Sequence, residues 1–112
     1  MALARGLKPH LYYILLSLAG GDRYGLTIAR DVLDLSDRHV RLWPATLYGA
    51  LEDLLDRGWI EELDDDRRRP ADESEKKRFY RITRSGRATL AAETDRLADL
   101  VALARARVKA RG

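Results

Sequence analysis

The sequence predicts a mainly α-helical fold with one small β-hairpin and a long C-terminal helix. Three observations predict it. Between residues 9 and 57, apolar residues recur at helical spacing in three successive segments. After residue 58 the spacing changes to that of strands, on either side of a charged stretch at residues 64–77. From residue 84 onward, a heptad-like apolar stripe continues to residue 108.

Length and composition restrict the class of protein. The 112 residues fit one domain, and 46% hydrophobic residues are typical of a folded chain. The absence of cysteine excludes disulfides, thiolate metal sites and cysteine nucleophiles. The net charge of +3 is too small to indicate nucleic acid by itself, but it is unevenly distributed, since residues 84–112 hold 7 basic and 3 acidic residues.

The N-terminal segment has some features of a targeting signal. Two basic residues before position 9 precede an apolar run at residues 11–19, which is roughly the layout of a secretory signal. The run contains Tyr12 and Tyr13, however, and suits a core helix. The longest stretch without charged residues, residues 9–21, is shorter than the roughly 20 residues that a membrane-spanning helix needs. We therefore expect a cytoplasmic protein without a membrane partner.

The first two helices are predicted at residues 9–18 and 23–35. Pro9 suits a first helical turn, where its missing N–H costs nothing. One face of the first helix is apolar, with Leu11, Ile14, Leu15 and Leu18. After Gly20-Gly21, Asp22 is the predicted cap of the second helix, whose inner side repeats every four residues at Tyr24, Ile28 and Val32. A polar turn and a short extended segment, Val40–Trp43, follow.

The third predicted helix has the strongest amphipathic signal in the first half of the chain. Pro44 suits its first turn, and Gly58 supplies a stop. Its inward face is apolar and holds Leu47, Leu51, Leu54 and Leu55. The outward face then holds Thr46, Gly49, Ala50, Asp53 and Arg57. We expect the flanking Trp43 and Trp59 to belong to the core rather than to a binding surface.

A two-stranded ribbon is predicted after the third helix. Its strands are Trp59–Leu63 and Arg78–Thr83, the second with Tyr80 and Ile82 on one face and Phe79 and Arg81 on the other. The 14 residues between them are too many and too polar for a tight turn, so they form a loop at the tip. Residues 64–78 sum to zero charge, which is typical of a solvated, self-neutralising loop.

The last helix is predicted from Arg84 to near the C-terminus, with Thr83 as its cap. A heptad-like stripe follows it, weakened by Thr94 and Ala104 and widened by Leu103. Such an apolar helix needs a partner, and self-association is the simplest way to cover it. The dimerisation residues predicted on this ground are Leu90, Leu97, Leu100, Val101, Ala104 and Val108.

Three helices followed by a ribbon is the plan of a winged helix-turn-helix. We assign that domain to residues 1–83 and a dimerisation helix to residues 84–112. A module of this kind presents its third helix to the DNA major groove, which is about 12 Å wide, and its ribbon to the flanking backbone.

The chain also resembles the PadR family of bacterial transcriptional regulators, in its short form. The matching stretches are HLYYILLSLAGGDRYGLTIARDV (residues 10–32), ATLYGALEDLLDRGWIE (residues 45–61) and KRFYRITRSGRATL (residues 77–90). The resemblance implies a dimeric DNA-binding regulator, commonly a repressor. It maps the recognition helix onto residues 44–57, with Thr46 and Tyr48 facing DNA, the wing onto residues 59–83 and the dimerisation helix onto residues 84–108. The family often has Gly or Ser before that threonine, where this chain has Ala45.

The candidate DNA contacts lie on the third helix and the wing. Thr46 offers a hydroxyl to a base edge or phosphate, Ala45 a methyl to thymine, and Tyr48 a hydroxyl to phosphate. Gly49 lies on the same face. Glu52, Asp53 and Asp56 would repel phosphate, so the helix would enter by its N-terminal turn. The basic residues of the wing that would follow a DNA strand are Arg67, Arg68, Arg69, Lys76, Lys77 and Arg78.

Catalysis finds little support, because His10 and His39 are the only histidines and neither belongs to a metal or catalytic motif. We expect no enzyme and no cofactor.

The predicted function is a homodimeric repressor on double-stranded DNA, at a near-palindromic operator. The alternative is a winged-helix module that binds protein without sequence-specific DNA binding, which the acidic residues of the third helix and the neutral wing favour. The last helix has no aromatic residue, so no specific ligand is predicted and a small-molecule effector stays open.

Overall fold

A computed structural model describes residues 6–63 and 78–110 of the chain. Its elements in chain order are α1 (Pro9–Ala19), β1 (Arg23–Tyr24), α2 (Gly25–Leu35), α3 (Pro44–Asp56), β2 (Ile60–Leu63), β3 (Phe79–Ile82) and α4 (Arg84–Ala110). The strands form one antiparallel sheet in the order β1-β3-β2. The mainly helical fold with a small sheet and a long C-terminal helix is therefore confirmed.

The helices pack their apolar faces into one core. It takes its buried side chains from α1, α2, α3, the sheet and the first half of α4, among them Leu15, Ile28, Leu51, Tyr80 and Leu90. Pro44 occupies the first turn of α3, and Gly58, with a φ of 77°, follows its end as predicted. One outward residue was predicted wrongly, since Ala50 is only 6% exposed. It lies beside Leu47 and Leu54 on the helical surface, so the buried face extends to its side.

Strand β1 consists of two residues, Arg23 and Tyr24, that the sequence pattern assigns to the second helix. Arg23 pairs with Tyr80 and Tyr24 with Phe79, and the rings of Tyr24 and Phe79 lie 4.9 Å apart. Phe79 is buried, although the strand pattern places it on the same face as the exposed Arg81. Helix α2 begins two residues later than expected, after Tyr24, and has no side-chain cap. The prediction that Asp22 caps it was wrong, because its carboxylate lies 3.6 Å from Arg81 Nε instead.

A tight turn joins α2 to α3. Asp37 and Arg38 both have positive φ, 55° and 68°, a conformation that few residues other than glycine adopt. The Ser36 hydroxyl accepts a hydrogen bond from the Val40 amide at 2.9 Å and holds the exit of the turn. Residues 40–43 belong to none of the strands in the described ranges, so the extended segment predicted there is not part of the sheet.

The start of α4 is fixed to the turn that ends α3. The Thr83 hydroxyl donates to the Gly58 carbonyl at 2.7 Å and accepts from the Gly86 amide at 3.0 Å, which confirms Thr83 as the cap. Gly86 packs so closely on the Trp59 carbonyl that an added Cβ would collide with it. The hairpin and the first turn of α4 are thus one packed unit.

The two ends of α4 have different surroundings. Leu90 is 9% exposed and belongs to the core of its own chain, and Glu93 is buried as well. The Tyr12 hydroxyl lies 2.8 Å from Thr94 Oγ1, where α1 still touches the helix. Every residue at positions 98–110 is exposed. The predicted apolar stripe therefore has two parts. Leu90 packs in the core of its own chain, and the apolar residues of the second half face solvent.

Candidate nucleic-acid interface

The opening turn of α3 is an exposed and uncharged surface. Ala45, Thr46 and Gly49 face solvent, while Leu47 and Leu51, which alternate with them, are 1% exposed. The first turn contains no acidic residue, and Trp43 at the N-cap makes no side-chain bond to it. The free N–H groups of the turn therefore remain available to an anion or a hydrogen-bond acceptor.

Tyr48 stands at the edge of this surface. It is half-buried, and its ring packs against the first residue of α2, where a Cβ added to Gly25 would lie 3.0 Å from the tyrosine oxygen. Packing on α2 therefore fixes the ring, while part of it stays accessible. The contact predicted between the Tyr48 hydroxyl and a phosphate stays a prediction.

A cavity of about 470 Å³ lies between α3 and β3. Tyr48, Gly49 and Glu52 line it on one side, and Arg78 and Tyr80 on the other. Burial raises the pKa of Tyr80 to about 12, with Glu62 adding to the shift, so its hydroxyl stays protonated at neutral pH. The cavity is thus bounded by the phenols of Tyr48 and Tyr80 and by the oppositely charged side chains of Glu52 and Arg78.

The second half of α3 has the opposite electrostatic character. Glu52 and Asp56 are exposed, and Asp53 accepts a hydrogen bond from Arg57 Nε at 2.8 Å. Phosphate groups would be repelled at this end and tolerated at the opening turn. The helix is polarised along its length as the sequence predicted.

The wing is described only at its base. The candidate contacts on it at Arg67, Arg68, Arg69, Lys76 and Lys77 lie outside the described residues. Arg78 is exposed, and its guanidinium lies 3.6 Å from Glu62. Exposed ion pairs of this kind contribute little to stability, so Arg78 can exchange Glu62 for another anion at small cost.

Trp43 is a surface residue that the sequence pattern did not reveal. Its side chain is 64% exposed, so the expectation that it belongs to the core was wrong, whereas Trp59 is partly buried and packs against the core. Trp43 directly precedes Pro44, and the residue before a proline is held in an extended conformation. Its φ of −71° and ψ of 157° agree. The Pro44 that starts α3 therefore also places the indole outside the helical face.

The two histidines lie apart from this surface. Burial, with a smaller contribution from Lys8, lowers the pKa of His10, so its imidazole is neutral at pH 7. His39 Nδ1 lies 3.1 Å from the Ser36 carbonyl oxygen in the α2–α3 turn. Within residues 6–63 and 78–110, no group of three potential ligands is placed to hold a metal ion. No helix in these ranges is both long and apolar enough to cross a membrane.

Comparison with known proteins connects this architecture to a family. The sequence profile of the transcriptional regulator PadR-like family matches residues 14–92, more than half of the chain. No protein of curated function matches the chain.

Solved structures share the fold over most of their length. A PadR family transcription regulator from Clostridium difficile R20291 superposes with a TM-score of 0.71 at 19% identity, covering 90% of this chain and 99% of its own. A transcriptional regulator from Clostridium thermocellum gives a TM-score of 0.67 at 24% identity, with 86% of each chain covered. RosR from H. salinarum gives 0.62 at 27% identity, covering 96% of this chain and 91% of its own.

Proposed function

The chain belongs to the PadR-like family of transcriptional regulators, and from that premise we propose that two copies of it bind one near-palindromic operator and repress transcription there. Members of the family are DNA-binding regulators and not enzymes. Repression by occlusion of a promoter is the simplest mechanism for a protein whose described residues form a compact binding domain and one long helix. A regulator of this kind works where the chromosome is, and we place it in the cytoplasm.

The observation that carries the proposal is the polarity of α3. Leu47, Leu51 and Leu54 are buried, the opening turn is exposed and free of acids, and the carboxylates lie in the second half. An opening turn of this kind enters the major groove with its first residues. Thr46 then donates to a base edge or a phosphate, the Ala45 methyl contacts thymine, and the Tyr48 hydroxyl donates to a phosphate. Gly49 allows the backbone to approach the groove closely.

The second half of α4 supports the dimer. Leu100 and Val108 are 53% and 75% exposed, and a second copy would cover them. The proposed interface continues through the other apolar positions of the stripe, Leu97, Val101 and Ala104. Two-fold pairing through this helix would place the two copies of α3 in successive major grooves, about 34 Å apart.

The wing would add contacts to the flanking DNA backbone. In the proposal one of its two basic triplets, Arg67–Arg69 or Lys76–Arg78, binds the phosphates of a DNA strand. Each phosphate that these side chains bind makes the affinity more sensitive to salt by about one unit of slope. An unidentified signal, for which a small-molecule effector is one candidate, relieves the repression.

The test begins with selection of duplexes from a random library, followed by a shift assay at moderate salt. We expect Thr46→Ala to weaken binding to the selected duplex about fivefold, the low end for removing a contact to a base. We expect Tyr48→Phe to weaken binding to all duplexes alike. Thr89→Ala on α4 is the matched control and should bind as the wild type does. Thermal unfolding should be nearly the same for all four proteins, because Thr46 is exposed.

If no selected duplex binds better than random DNA, the repressor proposal is overturned. The protein-binding module then takes its place, supported by the exposed carboxylates of α3 and by the ion pairs of Arg81 with Asp22 and Glu61, both 3.6 Å. A loss of folding stability in Thr46→Ala or Tyr48→Phe equal to the loss of binding would show that these residues serve the core.

A further inference from the structure

We propose that Arg41 and Trp43 form a second DNA contact, on the sugar–phosphate strand beside the groove that α3 enters. The inference rests on the proposed function and extends it to two residues outside the helix. It starts from the exposure of Trp43, whose indole is 64% accessible although its neighbour Leu42 is 7% exposed. An indole offers a large apolar area, and one that its own chain does not cover is typical of a binding surface.

The backbone explains why the two side chains act together. In an extended segment, alternate side chains point to the same side. The buried Leu42 anchors the segment to the core, so Arg41 and Trp43 both face outward. The Arg41 guanidinium carbon lies 5.3 Å from the centre of the Trp43 ring, a cation–π arrangement. The stacking holds the guanidinium in place before any partner arrives, which lowers the entropy cost of binding.

The chain contains a matched pair at the other end of α3. The guanidinium carbon of Arg57 lies 5.1 Å from the centre of the Trp59 ring, nearly the same geometry. There, however, Arg57 is neutralised by Asp53 at 2.8 Å, and Trp59 is partly buried against the core. Among the described residues, no carboxylate lies within ion-pair distance of Arg41. The arginine–tryptophan pair at the end of α3 is therefore neutralised and partly buried. The pair before its start is exposed and has no carboxylate partner among the described residues.

The chemistry of the exposed pair fits a DNA strand. A guanidinium binds phosphate oxygens through its N–H groups. In a duplex the faces of the bases are covered by stacking, so an indole beside the groove contacts the C–H groups of a deoxyribose instead. Its Nε1–H can donate to the next phosphate. Trp43 is three residues before Thr46, which places this second site next to the turn that enters the groove.

The two residues predict two different changes in DNA binding. With the selected duplex, Arg41→Ala should reduce the slope of log affinity against log salt by about one unit for each phosphate that Arg41 binds in the wild type. Trp43→Ala should weaken binding about fivefold or more with an unchanged salt slope, because it removes apolar area and no charge. Trp59→Phe is the control and should bind as the wild type does. Thermal unfolding of Arg41→Ala and Trp43→Ala should match the wild type.

Fluorescence gives a second measurement. The chain has 2 tryptophans, so the Trp59→Phe variant reports on Trp43 alone. Its emission should be quenched or shifted when the selected duplex is added, and random DNA should have a smaller effect. Unchanged emission at saturation, or wild-type binding by both Arg41→Ala and Trp43→Ala, overturns the inference while the wild type's own binding keeps the proposed function. If the wild type selects no duplex, the proposed function fails first and the inference fails with it.

Discussion

One face of the first half of α4 is buried against its own chain, whereas the second half is exposed to solvent. In the first half, Gly86, Leu90 and Glu93 are buried against the hairpin, the core and the N-terminal segment. In the second half every residue is exposed, although Leu100 and Val101 continue the apolar spacing. One heptad-like pattern thus spans a core segment and an uncovered segment. Spacing shows which face of a helix is apolar, and only burial shows whether the same chain covers that face.

The largest expected effect is on the free energy of unfolding, and it comes from a substitution in the first half of α4. Gly86→Ala places a Cβ against the Trp59 carbonyl, so the start of α4 must shift, and we expect a loss of about 3 kcal/mol in the free energy of unfolding. The same change in α3, Gly49→Ala, meets nothing within 4 Å and should stabilise the fold by about 0.5–1 kcal/mol, since alanine favours helix. Denaturant unfolding of both variants measures the difference. Equal effects would mean that α4 is not packed on the hairpin.

The second half is expected to affect assembly and not folding. Ala104→Glu places a charge in the proposed interface and should weaken the dimer about 100-fold, because a buried unpaired charge costs several kcal/mol. Ala106→Glu is the same substitution two residues later, on the opposite side of the helix, and should leave the dimer unchanged. Both positions are exposed, so thermal unfolding of the monomer should not change. Light scattering over a dilution series tests this, and a wild type that is monomeric at micromolar concentration contradicts it.

The smallest effect is expected at the boundary between the halves. Hydrogen bonds from Arg96 lower the pKa of Glu93 below its ordinary value of 4.5, and the Leu7 amide adds to the shift. A lowered pKa stabilises the folded state above pH 4.5, and this contribution disappears as the pH falls through the lowered value. Glu93→Gln should therefore be less stable than the wild type at neutral pH, and the difference should shrink in acid.

Unfolding at neutral pH and at about pH 3 measures this change. A constant difference between wild type and Glu93→Gln at both pH values would mean that the Arg96 pair does not bind the carboxylate in its charged form.

The elements with strong local signals were predictable from the sequence. Proline at a first turn, glycine at a stop and a four-leucine face define α3 within one residue of its observed bounds. The two-residue strand β1 was not predictable, because its partner Phe79 is far along the chain and Tyr24 fits the four-residue repeat of the next helix. A strand this short has no periodicity of its own, and only the pairing reveals it.

The residues of the candidate site also divide into those whose exposure the sequence predicts and those whose exposure it does not. The exposure of Thr46 and Gly49 follows from the phase of the leucines, which the sequence contains. The exposure of Trp43 does not, because aromatic composition favours a core position and the backbone direction at Pro44 decides the outcome. Which bases and phosphates these residues bind stays a prediction, since specificity depends on groove geometry that the protein chain does not contain.

The junction at Thr83 has a mechanical consequence. Hydrogen bonds from Thr83 and Ser85 to the Gly58 carbonyl, together with the close approach of Gly86 to Trp59, join the start of α4 to the turn that follows α3. A change in the tilt of α4 would therefore also move the end of α3. If a signal re-oriented the second half of α4, the position of α3 would change through this junction, without a relay of side chains across the domain.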